Sequence, residues 1–417
     1  PVAILEIVDS HKDYSIIQKS LRKLNEFMSL SIGRREINRD RCFLLAEIAS
    51  SHCGNKDKLK GIVKSYVNAN ADGIKFQIFN ASKLCSTKHP GLSDLQKIQL
   101  SQEDWVDVLK FASGFGIPLL AEVFDEGSAD LAEKYVDAYS IHSSDVSNPF
   151  LLKHVASKGK PLLLYIGGST IGEIREAVDL LNSLFVDIIL VYGLQNFPTS
   201  IENVNLKRIK RLEEEFGLPI CYHDHTDAEN PLAKEIATYA FAYGAQMVEK
   251  HVTDDRTLKG FDYVSSLNPN EFSEVIKRLR EFEKVIGSNE FILGEADNQY
   301  RKKMKKYIIA KENIEKGETI TLDKIAFKRI LDGDYPPCEY EKVIGRKASK
   351  YLEGDSAIKY ADVERKAVII IPVTLKSKRL PNKALLDLNE DTTIGRMVER
   401  MKQSKNASSV VLYNTTL

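Results

Sequence analysis

Between residues 42 and 285, short apolar runs alternate with amphipathic, helix-length stretches, and the runs number eight. The candidate strands are Cys42–Ser50, Gly73–Phe79, Pro118–Phe124, Ala138–Ser143, Pro161–Gly167, Ile188–Leu194, Pro219–Asp224 and Met247–Thr253. Helical stretches between them include Asp57–Asn70, Glu103–Phe115, Ile171–Asn182, Asn205–Phe216 and Pro231–Tyr243. Parallel strands covered on both faces read as continuous apolar runs, and each must be joined to the next by a crossover. Eight such units in one stretch are the sequence form of an α/β fold of the (β/α)8 TIM-barrel type. An open, doubly wound sheet is the competing arrangement. It is disfavoured because no Gly-x-Gly-x-x-Gly loop follows the first run.

Outside the barrel the pattern changes. Residues 291–306 are polar and basic and read as a linker; their Arg301–Lys306 charges fit a solvated helix face better than a binding patch. From 307 to 364, short strands (Tyr307–Ala310, Ala326–Ile330, Ala357–Tyr360) and tight turns indicate a compact β-rich second domain. Residues 366–417 contain two strand-like runs and one amphipathic stretch, too little to bury a core alone. Residues 1–28 likewise read as an extension or the end of a preceding domain. The domain boundaries expected are therefore 1–28, 29–290, 291–306, 307–364 and 366–417, with both ends resembling pieces of a longer fusion.

Charge and cysteine usage narrow the function classes. Lys plus Arg number 59 and Asp plus Glu number 59, so no global field selects nucleic acid or a membrane surface. No apolar run is long enough to span a bilayer. Five scattered cysteines without a C-x-x-C pair argue against a disulfide framework or a structural zinc knot, so a cytoplasmic location is expected.

In a barrel of this type the chemistry sits where strands end and βα loops begin. The polar residues at those ends are Glu47, His52, Lys75, Gln77, Glu122, Asp125, His142, Ser143, Asp145, Gln195, Asp224, His225, Glu249 and His251. His225 and His251 end consecutive strands; adjacent parallel strands lie about 4.8 Å apart, so the two imidazoles can share one divalent ion. A lone strand-end histidine is better explained as a hydrogen-bonded residue, and the matched pair beside carboxylates brings the two explanations level. Lys75 interrupts an apolar strand; it reads as a lysine snorkelling at the rim, an anion clamp or a Schiff-base amine.

At these residues the chain resembles the sialic acid synthase family over roughly residues 29–364. The motifs are Ala46-Glu-Ile-Ala-Ser-Ser-His52, Gly73-Ile-Lys-Phe-Gln77, Phe197-Pro-Thr199, Asp224-His-Thr226, Glu249-Lys-His251 and Gly260-Phe-Asp262. Residues 307–364 are similar to that family's antifreeze-like (SAF-type) cap domain, through Ala310-Lys-Glu-Asn-Ile-Glu-Lys-Gly-Glu318, Lys328-Arg329 and Ile344-Gly-Arg-Lys347. The segment from Ala367, with Ser377-Lys-Arg-Leu-Pro-Asn-Lys383, resembles the opening of a sugar nucleotidyltransferase domain.

The resemblance implies condensation of phosphoenolpyruvate with an open-chain N-acyl hexosamine to a sialic-acid-like nonulosonate for surface polysaccharide. It implies a divalent metal, Mn or Mg, on His225 and His251. Glu47 is expected to contact the sugar, Lys75 and Gln77 to hold phosphoenolpyruvate, and Asp145 to orient the attacking water. Ser143, Gln195 and Asp262 are expected to bind substrate. Arg329 is expected to reach the sugar's N-acyl group in a homodimer that exchanges cap domains. Four positions depart from the family pattern: Glu122 for a threonine, Ser140 for a lysine, Tyr165 for a serine and His223 for a serine. They motivate one alternative, a metal-dependent aldolase or lyase with another enolisable partner; the partial domains at both ends motivate a second, a non-catalytic sugar-binding module of a fusion protein.

Overall fold

The computed structural model describes residues 30–288, 290–364, 367–373, 382–387, 391–404 and 407–414. The expected extension 1–28 and the greater part of the Ser377–Lys383 loop lie outside the described residues. The chain divides into two compact units, Pro1–Ser288 and Asn289–Leu417.

In the first unit a short hairpin, β1 (Ser31–Ile32) and β2 (Arg35–Glu36), precedes eight parallel strands. These are β3 (Phe43–Glu47), β4 (Gly73–Ile78), β5 (Leu119–Val123), β6 (Ala138–Ile141), β7 (Leu162–Tyr165), β8 (Ile188–Tyr192), β9 (Ile220–Asp224) and β10 (Met247–His251). They pair in chain order, and β10 pairs with β3 to close the barrel. The eight expected strands are the eight observed. Helices follow the strands, several of them opened by capping side chains: Asn55, Ser101, Asp125, Asn148 before Pro149, and Thr170 with Glu173.

Residue parity sorts each strand into two faces. Leu44, Ala46, Ile74, Phe76, Tyr139, Ile141, Leu190 and Tyr222 face the helices in one large core. The other parity lines the interior. Its lower part is apolar, built from Phe43, Leu45, Leu120, Leu163, Ile189, Cys221 and Met247, with Ile32 and Ile37 of the hairpin region packed against them. Gly73 has to be glycine at its height, because a Cβ there would lie 2.7 Å from the Phe43 ring. One step higher the same parity places Glu47, Lys75, Glu122, Ser140, Tyr165, His223 and Glu249, all buried. The apolar floor carries a polar upper layer, and that layer is where the site begins.

The expected helix Pro231–Tyr243 is divided into a 3-10 turn, Pro231–Lys234, and a helix, Ile236–Ala242. The Ala233 carbonyl accepts from Lys250 Nζ at 3.0 Å, which takes an acceptor that a continuous helix would use internally.

In the second unit, residues expected as a linker form an exposed helix, Glu295–Met304, with no buried residue. Glu295 and Asp297 lie in its first turn and Arg301, Lys302 and Lys303 in its last, the arrangement that complements a helix dipole. Strands β11 (Lys306–Ala310) and β12 (Ile325–Arg329) pair antiparallel over a core of Ile308, Ile314, Ile320, Val343, Leu352 and Ile358. The expected strand Ala357–Tyr360 reduces to a single bridge, Ile309 to Ala357, because a 3-10 turn begins at Tyr360. Further on, β13 (Ala367–Val373) and β14 (Ala407–Asn414) pair in parallel, with the helix Thr393–Lys402 between them in sequence. Among the described residues no helix is long and apolar enough to cross a membrane, and all five cysteines are free.

Candidate active site

At the C-terminal mouth of the barrel lies a cavity of about 350 Å³, within the ~300–1,000 Å³ range of small-molecule sites. Ser50, Lys75, Gln77, Glu122, His142, Tyr165, Gln195, Phe197, His223, His225, Glu249, His251 and Asp262 line it.

One wall carries three imidazoles. His223 lies on β9, His225 just beyond it and His251 at the end of β10, and their ligand atoms all fall within 4.8 Å of one another. His225 Nε2 is 2.9 Å, and His223 Nε2 3.4 Å, from His251 Nε2. His225 turns its Nδ1 to the Leu194 carbonyl at 2.9 Å, which places its proton there and leaves Nε2 with a lone pair. Burial first, and then the neighbouring rings and Lys75, push the pKa values of His223 and His251 well down. Burial likewise lowers His225, to about 4. All three are therefore neutral near pH 7, as metal ligands must be.

Below them is a charged cluster. Lys75 is 1% exposed. Its Nζ lies 2.8 Å from Glu47 Oε2, 3.0 Å from Glu249 Oε2 and 3.8 Å from Glu122 Oε1, and it donates to the Tyr165 hydroxyl. Tyr165 donates in turn to Glu249; burial, then the Glu249 charge, hold the phenol protonated. Burial also raises the Glu249 pKa, against the opposing pull of Lys75. Glu122 accepts from Gln77 Nε2 at 2.7 Å. The snorkelling reading of Lys75 is thereby corrected: a register that aligns Glu47 with Lys75 and Gln77 with Glu122 encloses the ammonium in carboxylates.

The expected site residues separate into groups. Lys75, Gln77, Gln195, His225, His251 and Asp262 line the cavity. Asp262 adopts the left-handed region, φ 59°, and its carboxylate accepts from the Ser50 N–H at 3.4 Å; burial raises its pKa. Glu47 lies beneath the cavity floor, bound to Lys75 and to the Ala49 N–H at 2.7 Å. Ser143 and Asp145 do not line the cavity. The chain past β6 enters a 3-10 turn, and Asp145 is held by Ser144 at 3.0 Å and by the helix-capping Asn148 at 2.9 Å. His142 faces the cavity from that strand end instead. Arg329 ends β12 of the second unit with an exposed side chain.

Three of the polar strand-end residues are turned away from the mouth, Asp224 by strand parity and the other two by local packing. Asp224 faces outward and pairs with Lys250, Asp125 caps the following helix, and His52 packs edge-on to Trp105. His223 is not among the expected site residues, although the His223-x-His225 alternation on one strand places both rings on the same face.

The chain matches the NeuB family over residues 62–291, the SAF domain over 305–364 and the cytidylyltransferase family over 368–414. An uncharacterized protein of Methanocaldococcus jannaschii is 35% identical over 338 residues, 80% of this chain and 98% of that protein. An N,N'-diacetyllegionaminic acid synthase of Legionella pneumophila is 30% identical over 343 residues, 78% of this chain and 95% of that one. The crystal structure of an N-acetylneuraminic acid synthetase from Leptospira borgpetersenii superposes with a TM-score of 0.62 at 24% identity, covering 66% of this chain and 97% of that one.

Proposed function

The chain belongs to the NeuB family of synthases, and on that premise we propose that it condenses phosphoenolpyruvate with an open-chain N-acyl hexosamine to give a nonulosonate and phosphate. In this reaction the enol carbon bonds to the aldehyde carbon, water adds at the neighbouring carbon, and phosphate departs from it. The observation that carries the reading is the convergence of His225 and His251 Nε2 atoms, 2.9 Å apart, in a cavity that also exposes Gln77, Gln195 and Asp262.

The donor set fits a divalent ion. A single proton on His251 Nε2 cannot serve both rings that face it, and the Nδ1 atoms of His223 and His251 have no partner among the described residues. His225 and His251 would hold the ion, Mn or Mg being the expectation from sequence. Its chemistry there is Lewis-acid polarisation of an aldehyde oxygen. Asp262 and Gln195 would position the sugar, and Gln77, fixed by Glu122, the three-carbon partner. Glu47 and Glu249 hold Lys75 in place from below. Arg329 would reach the N-acyl group from the cap domain of a second subunit, which makes a homodimer the expected working form.

One observation favours a second reading. Lys75, the residue expected to hold phosphate, is already surrounded by Glu47, Glu122 and Glu249, and a phosphate dianion beside them is disfavoured. An unphosphorylated 2-oxo acid such as pyruvate, used in an aldolase reaction, avoids that repulsion. The two readings separate in one experiment. Metal-loaded protein is incubated with each three-carbon acid and a panel of N-acyl hexosamines, following phosphate and 2-oxo-acid product together. Phosphate release with product supports the synthase; pyruvate-dependent product without phosphate supports the aldolase; no product with either rejects both.

A further inference from the structure

We propose that His223 is a third protein ligand, so that the ion sits in a three-imidazole centre rather than on His225 and His251 alone. The inference deepens the metal reading above and rests on it.

Geometry is the first support. The ring centroids of His223 and His225 are 3.8 Å apart, those of His225 and His251 4.6 Å, and those of His223 and His251 5.6 Å. Three rings this close, with His223 Nε2 and His225 Nε2 both turned to His251 Nε2, leave one focus for a cation. Among the described residues His223 has no hydrogen-bond partner outside the histidine cluster. Its Nδ1 is buried and unpartnered among the described residues, and its Nε2 meets only His251 and, at 3.5 Å, a Glu249 oxygen. A buried imidazole without a carbonyl or hydroxyl to bind is costly as a packing residue and well used as a ligand.

The surroundings are the second support. Tyr165 stands edge-on to the His223 ring at 5.3 Å, fixing its plane from the β7 side. Gly193 permits the approach of β9, since a Cβ at that position would fall 2.2 Å from the His223 carbonyl oxygen. Beneath the rings Glu47, Glu122 and Glu249 face the single ammonium of Lys75. A dication held by the three rings would lie above three carboxyl groups that share one ammonium, a setting that favours a cation over a further anion.

The donor set also orders the metals. Imidazole suits Zn and Co, whereas Mg prefers carboxylate and water oxygens. A centre with three imidazoles would take Co(II) or Zn(II) far more tightly than Mg(II), in a cavity that His142, Gln195 and Asp262 also line.

The test uses the full chain stripped of metal and titrated with Co(II) alone, reading d–d absorption and chelator competition. The wild type is expected to bind one Co(II), unaffected by equal Mg(II). His223→Ala is expected to weaken binding at least ~100-fold, beyond what loss of an outer partner costs, as His225→Ala does. Thermal melting of the metal-free variants verifies folding. His223→Cys supplies the reading that a packing role cannot move, a thiolate-to-cobalt charge-transfer band absent from the wild type. Absence of that band, with Co(II) bound, overturns ligation by His223 and leaves the two-histidine reading standing. Failure of the wild type to bind any Co(II) or Zn(II) overturns both together.

Discussion

Lys250 Nζ lies 2.6 Å from Asp224 Oδ2, and both side chains are fully buried on the outer face of the strands whose inner face carries the three histidines. Lys250 and Asp224 are paired in register, and so are Glu249 and His223 one residue earlier. The ion pair and the imidazole wall are therefore opposite sides of one ladder. Asp224 also accepts from the Thr226 N–H at 2.9 Å and its hydroxyl at 2.7 Å, and His225 lies within that turn.

Removing one partner of this pair should destabilise strongly. Lys250→Met leaves a buried carboxylate uncompensated, at a cost of about 3–5 kcal/mol. Asp224→Asn combined with Lys250→Met should cost less than Lys250→Met alone, because no net charge is then stranded. Urea unfolding of the metal-free chain measures both, and a double variant no better than the single one would contradict the account.

Tyr165→Phe removes the hydroxyl that joins Lys75 to Glu249 and keeps the ring against His223. Stability should fall by about 1–3 kcal/mol for the stranded polar groups. Because Lys75 still contacts Glu249 directly at 3.0 Å, the fold should persist. Activity on any accepted substrate should fall further than stability does, since Tyr165 lines the cavity. Comparison of melting with turnover checks the ratio.

The barrel was legible because its strands are buried on both faces, so β7 (Leu-Leu-Leu-Tyr) and β8 (Ile-Ile-Leu-Val-Tyr) stand out as apolar runs. The pairing of His225 with His251 was legible too, since consecutive strands end at similar heights. The Lys75 cluster was not. Its carboxylates come from β3, β5 and β10, and only barrel closure and register bring them together. Ser143 and Asp145 stand off the cavity lining for a local reason. The Asn148 cap and a 3-10 turn claim Asp145 before it can face the cavity, and short polar side chains compete in this way without leaving a periodic trace.

His52 should make the fold sensitive to acid. Burial, and then the Lys58 charge, lower its pKa from the ordinary 6.5 to about 4. Between those values the unfolded chain binds a proton that the folded chain refuses. The contribution of neutral His52 is thus intact above about pH 6.5 and lost as pH falls toward 4. His52→Phe keeps a ring against Trp105 and should flatten the slope of stability between about pH 7 and about pH 5 by the share of one proton. Parallel denaturant titrations of the two proteins read it, and identical slopes would contradict the assignment.

Gly193 offers the most direct way to disturb the imidazole wall without touching an imidazole. It follows β8, where β8 and β9 approach so closely that an added Cβ would lie 2.2 Å from the His223 carbonyl oxygen and 3.0 Å from the His223 Cβ. Backbone cannot yield as a flexible side-chain tip can, so Gly193→Ala must push the end of β9 away from β8. The cost of overpacking a filled interior is about 1–3 kcal/mol, well short of unfolding a domain of this size. The displacement falls on His223 first and His225 next, while His251 on β10 keeps its pairing with Glu47 of β3. The variant should therefore remain folded, lose affinity for Co(II), and lose it through the β9 histidines. Combining it with His251→Ala should cost less in Co(II) affinity than the two separate losses together, because both act on one centre. Melting curves and chelator competition on the two single variants and the double variant give each quantity. Unchanged Co(II) affinity in a folded Gly193→Ala would show that the spacing of β8 and β9 does not set the position of the histidines.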